Sequence, residues 1–402
     1  MMISHRPTAA EAKGIGSGRR WAMLAISTLA QSGAAVMAHG AAFLIPTLVA
    51  REGLTLTQAG LIAAAPTIGV MLALVAWGAL TDAVGERLVL QIGLSVAAAA
   101  GLAAVLSSNL VLFALALGVG GAASASSNVA SGRVVVGWFP AHRRGLAMGI
   151  RQMAQPVGVG IAAITISVTA ERHGIHAALW IPTIACAVTA LAVSLVIQDP
   201  PRPTRTVTRA DNPYRGNRYL ARIHAVSVLL VVPQFLVWTF ALVWLVQDRD
   251  WSAAAAGTLV AVAQVFGAVG RILVGQLSDV VRSRMRPLRW VGIAAAVVLL
   301  AMGLAAGEGW WVAVPLMVLA TVLTVADNGL AFTAVAERAG PFWSGRALAI
   351  QNTAQFLTSS LVPPLGGAVI VALGFPRTFA LAALFPALAL ALVPVRDEHE
   401  LS

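Results

Sequence analysis

Twelve stretches of about 20 or more largely apolar residues follow one another from Trp21 to Pro394, each long enough as a helix to cross a hydrocarbon layer ~30 Å thick. They fall at 21–49, 57–80, 87–106, 110–134, 145–169, 175–197, 222–246, 253–277, 288–306, 310–335, 345–373 and 375–394. Lipid cannot hydrogen-bond to backbone N–H and C=O groups, so runs of this length are read as helices, which satisfy those groups internally. Only 11% of the chain is charged and its mean hydropathy is +0.83, whereas a soluble domain carries about 25% charged residues. The expected fold class is an all-α membrane protein with twelve transmembrane helices.

The remaining charges sort by side. With the N-terminus inside, the tails and inner loops hold most of the 27 basic residues, Arg6, Lys13, Arg19 and Arg20 among them, and the opposite side holds only Arg51, Arg172, Arg249 and Arg377. That asymmetry is the positive-inside rule, and it places both termini in the cytoplasm and the chain in the cytoplasmic membrane. The net charge of +11 is therefore a topology signal, and no nucleic-acid partner is expected. The polar first 20 residues lead straight into an apolar run too long for a signal peptide, so the first helix is expected to stay uncleaved. The single cysteine, Cys186, lies within a span and reads as a small core residue. No HExxH, GxSxG or P-loop pattern occurs, so no metal, no cofactor, no enzyme chemistry and no ATP-driven step is expected.

Residues 78–87 read GALTDAVGER and residues 275–284 read GQLSDVVRSR. Each follows an apolar run, sets an Asp four residues after a Gly, and sets an Arg five residues after that Asp. Two further matches lie 200 positions apart, Asn128 with Asn328 and the stretch 145–155 with 345–355, in which Gly145/Gly345, Ala147/Ala347, Ile150/Ile350, Ala154/Ala354 and Gln155/Gln355 coincide. The one long polar internal stretch, 198–221, is rich in Pro and Arg and divides the helices six and six. The expected organisation is a tail (1–20), a six-helix bundle (21–197), a linker (198–221), a second bundle (222–394) and a short tail (395–402). The two bundles form a parallel, pseudo-symmetric repeat of the kind found in transporters.

Over essentially its whole length the chain resembles the major facilitator superfamily, with GALTDAVGER matching the family pattern GxxxDxxGxR and a weaker echo at 275–284 that lacks the second Gly. The resemblance implies alternating access, in which two bundles rock about a central site, and a monomer embedded in the bilayer. It also implies a conformational latch built from Gly78, Asp82, Gly85, Arg87 and Arg133 and from Gly275, Asp279 and Arg284. In physical terms, Gly78 and Gly85 permit close packing and a tight turn. Asp82 can accept from Arg87 or Arg133 and can sit at a helix N-terminus, where negative charge is favoured. The competing reading makes this a solvated loop that only sets topology, and for Glu86 that reading is preferred.

Ionisable groups inside spans are costly and mark pathways. Arg151 and Arg271 lie roughly 9 Å into the fifth and eighth spans and Asp327 roughly 12 Å into the tenth, at 1.5 Å per residue; His39 lies near the middle of the first. In the family fold the fifth and eighth helices face each other, so the resemblance implies that both arginines flank one cavity, where a carboxylate suits the guanidinium fork. The alternatives are that Arg271 pairs with Asp327 as a brace and that Arg151 snorkels to the interface. Gln155 and Gln355 reach midplane depth and can orient a ligand or join helices. Asn352 and Gln264 are further candidates for the site, and Gln234, Trp238 and Trp77 weaker ones. His39, the one such residue with an ordinary pKa near neutrality, either carries the coupled proton with Asp327 or bonds a backbone carbonyl in the core.

The placement of Arg271 is similar to that of the eighth-helix arginine in monocarboxylate and oxalate carriers of the superfamily, while Gln351, Asn352 and Gln355 stand where the oxalate type has a lysine. QPVGVG at 155–160 partly resembles the drug-antiporter signature GPxxGG. The expected function is proton-coupled uptake of a small organic anion of monocarboxylate type, with a drug/proton antiporter as the alternative. A drug cation would call for a buried acid in the first six spans, and none lies well inside them.

Overall fold

The computed structural model describes residues 15–200, 212–215 and 218–398. The start of the N-terminal tail with Arg6 and Lys13, linker residues 201–211 with Arg202, Arg205 and Arg209, linker residues 216–217, and the end of the C-terminal tail lie outside the described residues. Among those described, every regular element is helical. In chain order the helices are α1 (Ser17–His39), α2 (Ile45–Ala50), α3 (Leu56–Val84), α4 (Glu86–Leu106), α5 (Leu110–Trp138), α6 (Ala141–Gln152), α7 (Ala154–His173) and α8 (Ile175–Val196). They continue as α9 (Tyr219–Gln247), α10 (Ala253–Val281), α11 (Met285–Gly307), α12 (Ala313–Ala326), α13 (Asn328–Ala339), α14 (Ser344–Ala382) and α15 (Leu384–Leu392).

Helix starts follow local chemistry. Thr55 and Gln58 form a reciprocal capping box on α3, Asn109 accepts from the N–H groups of Val111 and Leu112 on α5, and Ser252 accepts from Ala255 on α10; each satisfies donors that a helix leaves orphaned. Four expected helices are interrupted, the twelfth at Ala383, where Pro386 withholds the N–H that the Ala382 carbonyl would use. The first becomes α1, a 3-10 turn over Gly40–Leu44, and α2, because Pro46 has no N–H to continue the α-ladder. The fifth breaks at Met153, where Pro156 withholds the N–H that the Gln152 carbonyl would use. The tenth breaks at Asp327, beside a carbonyl drawn off by the Arg271 side chain, a recognised cause of helix bending.

Among the described residues, eleven helical stretches are long and apolar enough to cross a membrane, and the last of them, Ser344–Asp397, has 54 residues. At 1.5 Å per residue that is about 80 Å, far more than one crossing. Gly374 divides it, with φ 81° and ψ 165°. Its counterpart 200 residues earlier, Gly174, separates α7 from α8 with φ 87° and ψ 171°. This region of backbone space is open essentially to glycine alone.

The chain forms two compact units, Met1–Phe139, Met153–Asp211 and Ala339–Ile350 in the first, Pro140–Gln152, Asn212–Arg338 and Gln351–Ser402 in the second. Each thus takes in one short segment from the far side of the linker. In the first unit α5 is central, packed on α1, α3 and α4, while α8 covers α1 and α4. Small residues bring α3 and α5 together: a Cβ on Gly121 would strike the backbone of Pro66, a close approach typical of helix pairs in membranes. Phe113, Leu117, Ile166, Leu179, Leu44 and Leu48 fill part of its core. In the second unit α10 packs on α6 and α12, and α11 on α12 and α15. Its core centres on Trp244 and Phe379, edge to face at 5.8 Å. Leu72, Leu195, Val280 and Val371 are among many large apolar side chains left exposed, a pattern foreign to water-soluble surfaces and suited to lipid.

Candidate functional site

The second unit holds both guanidiniums proposed for the central site, and both are buried. Arg271 is 5% exposed and Arg151 2%. Arg271 donates from Nη1 to the carbonyl of Gln152 at 2.6 Å and from Nε to that of Val325 at 3.2 Å. Both carbonyls lie at helix C-terminal ends, of α6 and α12, where the backbone dipoles concentrate negative charge. Among the described residues Nη2 of Arg271 donates to nothing. Arg151 donates to the side-chain oxygen of Gln152 at 2.6 Å and lies over the Phe332 ring at 5.9 Å. Gln152 therefore touches both arginines, one through its backbone and one through its side chain, a role the sequence reading missed; the signal was Pro156, four residues on.

Asp327 is 2% exposed. The brace expected between it and Arg271 is not a direct ion pair: Arg271 turns to carbonyls, and Oδ1 of Asp327 has no hydrogen-bond partner among the described residues. The helix ends outcompete the acid because two fixed carbonyls match the guanidinium fork with no carboxylate to desolvate. Asn328 follows Asp327 and joins an amide chain in which Gln355 donates to it at 3.0 Å and it donates to Gln234 at 3.1 Å. Asn352 is buried, and Gln264 is half-buried away from these contacts. Gln351 instead belongs to a separate hydrogen-bonded chain, Tyr214–His224–Gln351–Ser227, which no motif or spacing announces. Trp238 keeps a buried indole N–H with no partner among the described residues.

In the first unit, Gln31 donates to Asn128 at 2.8 Å, repeating the Gln234–Asn328 pair one half-chain earlier. Gln155 does not repeat Gln355: its amide meets the His39 ring at 3.4 Å, so His39 is tied to a side chain rather than to a backbone carbonyl. Trp77 is a packing residue, donating to the Ala122 carbonyl at 2.7 Å.

The two Gly-Asp motifs are built alike. In the first unit Asp82 accepts from the N–H groups of Gly345 (2.8 Å) and Arg346 (3.0 Å) and pairs with Arg133 at 2.8 Å, while Arg133 donates to the Pro341 carbonyl. In the second Asp279 accepts from Gly145 (2.9 Å) and Leu146 (2.8 Å) and pairs with Arg284 at 2.5 Å, while Arg284 donates to the Ala141 carbonyl. All three backbone partners recur at an offset of 200. Gly78 lies against Gly345, and Gly275 against Gly145, so closely that a Cβ would strike backbone oxygen.

Two expectations fail here. Arg87 does not reach Asp82; its guanidinium binds the Ser194 carbonyl and its N–H the Asp199 carboxylate, because the turn at Gly85 starts α4 facing the end of α8. Glu86 is no solvated loop residue: it is fully buried and pairs with Arg133 at 3.0 Å. Glu398 mirrors Asp199, accepting from the N–H groups of Arg284 and Met285. Burial works against the Arg284 charge, but Glu337 and Asp279 outweigh it and hold its pKa above the ordinary arginine value.

A model of the Major Facilitator Superfamily matches residues 21–363. An uncharacterised MFS-type transporter of Mycobacterium tuberculosis is 46% identical over 384 residues, 95% of this chain and 86% of its own length. A probable hexose phosphate transport protein of Chlamydia trachomatis is 21% identical over 277 residues, 61% of each chain. Among solved structures, the E. coli fucose:proton symporter FucP matches with a TM-score of 0.76 at 16% identity, covering 94% of this chain and 98% of that one.

Proposed function

We propose, from the premise that this chain belongs to the Major Facilitator Superfamily, that it is a secondary active transporter working by alternating access, which takes up a small organic anion of monocarboxylate type together with a proton. It is a multi-pass membrane transporter and not an enzyme. The finer reading has twelve crossings, with Gly374 separating the last two, both termini in the cytoplasm and a monomer as the working unit.

The observation that carries the anion reading is the state of Arg271. Its charge is held by two helix-end carbonyls rather than neutralised by a carboxylate, and Nη2 remains unused among the described residues. A carboxylate can take that edge of the fork, a charge-assisted bond roughly twice as strong as a neutral one. Arg151, on the other side of Gln152, adds a second positive charge. Asp327 offers a buried carboxyl oxygen with no donor among the described residues, the natural acceptor for a coupled proton, and His39 is the second candidate. Gln355, Asn328 and Gln234 supply neutral hydrogen bonds beside it. The matched hexose phosphate carrier is named for an anionic substrate, which agrees with the sign of the charge.

Uptake of a labelled carboxylate panel into proteoliposomes, with and without an inward proton gradient, tests this. Arg271→Lys keeps the charge but loses the planar fork, so KM should rise roughly tenfold, the ~1.4 kcal/mol of one good hydrogen bond, and Arg271→Gln should abolish uptake. Asp327→Asn should retain binding and make uptake indifferent to the gradient. Carboxylate transport by Arg271→Gln at the parental rate sinks the anion reading.

A further inference from the structure

The Gln152 carbonyl has a history in the sequence. In an unbroken helix it would accept from the N–H of residue 156, but residue 156 is Pro, which has none. A carbonyl freed in a membrane span must find another donor or remain costly, and the donor found here is Nη1 of Arg271 at 2.6 Å. The same residue turns its side-chain oxygen to Nη1 of Arg151, also at 2.6 Å, although neighbouring residues on a helix do not normally face each other. That is possible because Gln152 is the last residue of α6. Close approach at Gly149, where a Cβ would stand 2.6 Å from the Arg271 carbonyl, brings α10 near enough for the reach.

We infer that Pro156 is a positioning residue: by withholding one N–H it leaves the Gln152 carbonyl to Arg271, and Gln152 then fixes the two guanidiniums relative to each other for a carboxylate ligand. The ligand part rests on the anion reading above; the contact itself does not. An alanine at 156 supplies the missing N–H, closes the helix on the Gln152 carbonyl and releases Nη1. The arginine would keep its charge and lose its aim.

Thermal melting of the detergent-solubilised parent, Pro156→Ala, Arg271→Gln and the double variant decides the contact. With Arg271 present, Pro156→Ala should leave the melting temperature unchanged or lower, because two donors compete for one carbonyl. In the Arg271→Gln background the same change should raise it by about 2 °C or more, since the carbonyl is then orphaned. An equal effect in both backgrounds overturns the inference. Should Arg271→Gln fail to fold, the rate at which phenylglyoxal modifies Arg271, read by peptide mass spectrometry in Pro156→Ala alone, takes its place. A rise of at least threefold supports the contact and an unchanged rate overturns it. For the ligand part, uptake of labelled L-lactate by Pro156→Ala should show KM up at least fivefold with the maximal rate within twofold of the parent; an unchanged KM removes the positioning role. If the parent moves no member of the carboxylate panel, the anion reading fails, while melting and modification still decide the contact.

Discussion

At the scale of single residues, burial separates what the sequence shows from what it hides. Arg151, Arg271 and Asp327 stood out as charges within apolar runs, and all three are buried. Their partners did not stand out, because carbonyl acceptors carry no residue identity: the acceptors of Arg271 could as well be any two helix ends. Glu86 was misread for a related reason. A loop acid looks solvated in sequence, and only the fold brings Arg133 within 3.0 Å of it. Arg133 consequently neutralises two buried acids, Asp82 and Glu86. Arg133→Ala should remove the nearer guanidinium from both, leaving Asp82 with Arg346 at 3.8 Å, and destabilise the protein by about 3–5 kcal/mol, the usual result of breaking a buried ion pair from one side. Denaturation of the purified variant checks this, and a loss below 1 kcal/mol would show that other groups carry those charges. Adding Glu86→Gln to Arg133→Ala should recover part of the loss.

At the scale of elements, the long apolar runs were legible because hydrophobicity accumulates over about 20 residues, whereas the breaks within them depend on one or two. The starts and ends of α4, α5, α8 and α9 fall within a few residues of expectation. Of the interruptions at Gly40–Leu44, Met153, Asp327 and Ala383, the second is legible in Pro156; the first and last follow from Pro46 and Pro386, and the third from a side chain arriving from α10. The turns at Gly174 and Gly374 have a sharper consequence. With φ of 87° and 81°, each lies where a side chain costs about 1–3 kcal/mol. Gly174→Ala and Gly374→Ala should therefore each lower stability by that amount, although a Cβ at Gly174 would meet open space and at Gly374 only Pro376 at 3.7 Å. Melting curves of the two variants give the comparison, and a neutral result at either would mean that the turn relaxes freely.

At the scale of the whole molecule, the 200-residue repeat was legible in Asn128/Asn328 and in the two Gly-Asp motifs, and the structure extends it to backbone partners and turn dihedrals. Asp82 and Asp279 make the same pair of N–H contacts, so both are proposed to stabilise one of the two transport states. Asp82→Asn and Asp279→Asn should each slow turnover severalfold, about 1 kcal/mol at the barrier, while substrate affinity in a binding assay changes little. Unchanged turnover in both would reduce the motifs to topology signals. The guanidiniums that serve the two aspartates set the repeat in a different light. Lining up the two halves puts Arg87 opposite Arg284, yet the contact made by Arg284 belongs in the other unit to Arg133, which comes from the last third of α5. The same charge thus stands in both halves while the chain position that supplies it differs. A substitution survey that pooled the two halves by alignment would average two arginines that hold different partners, one an aspartate and the other a helix-end carbonyl.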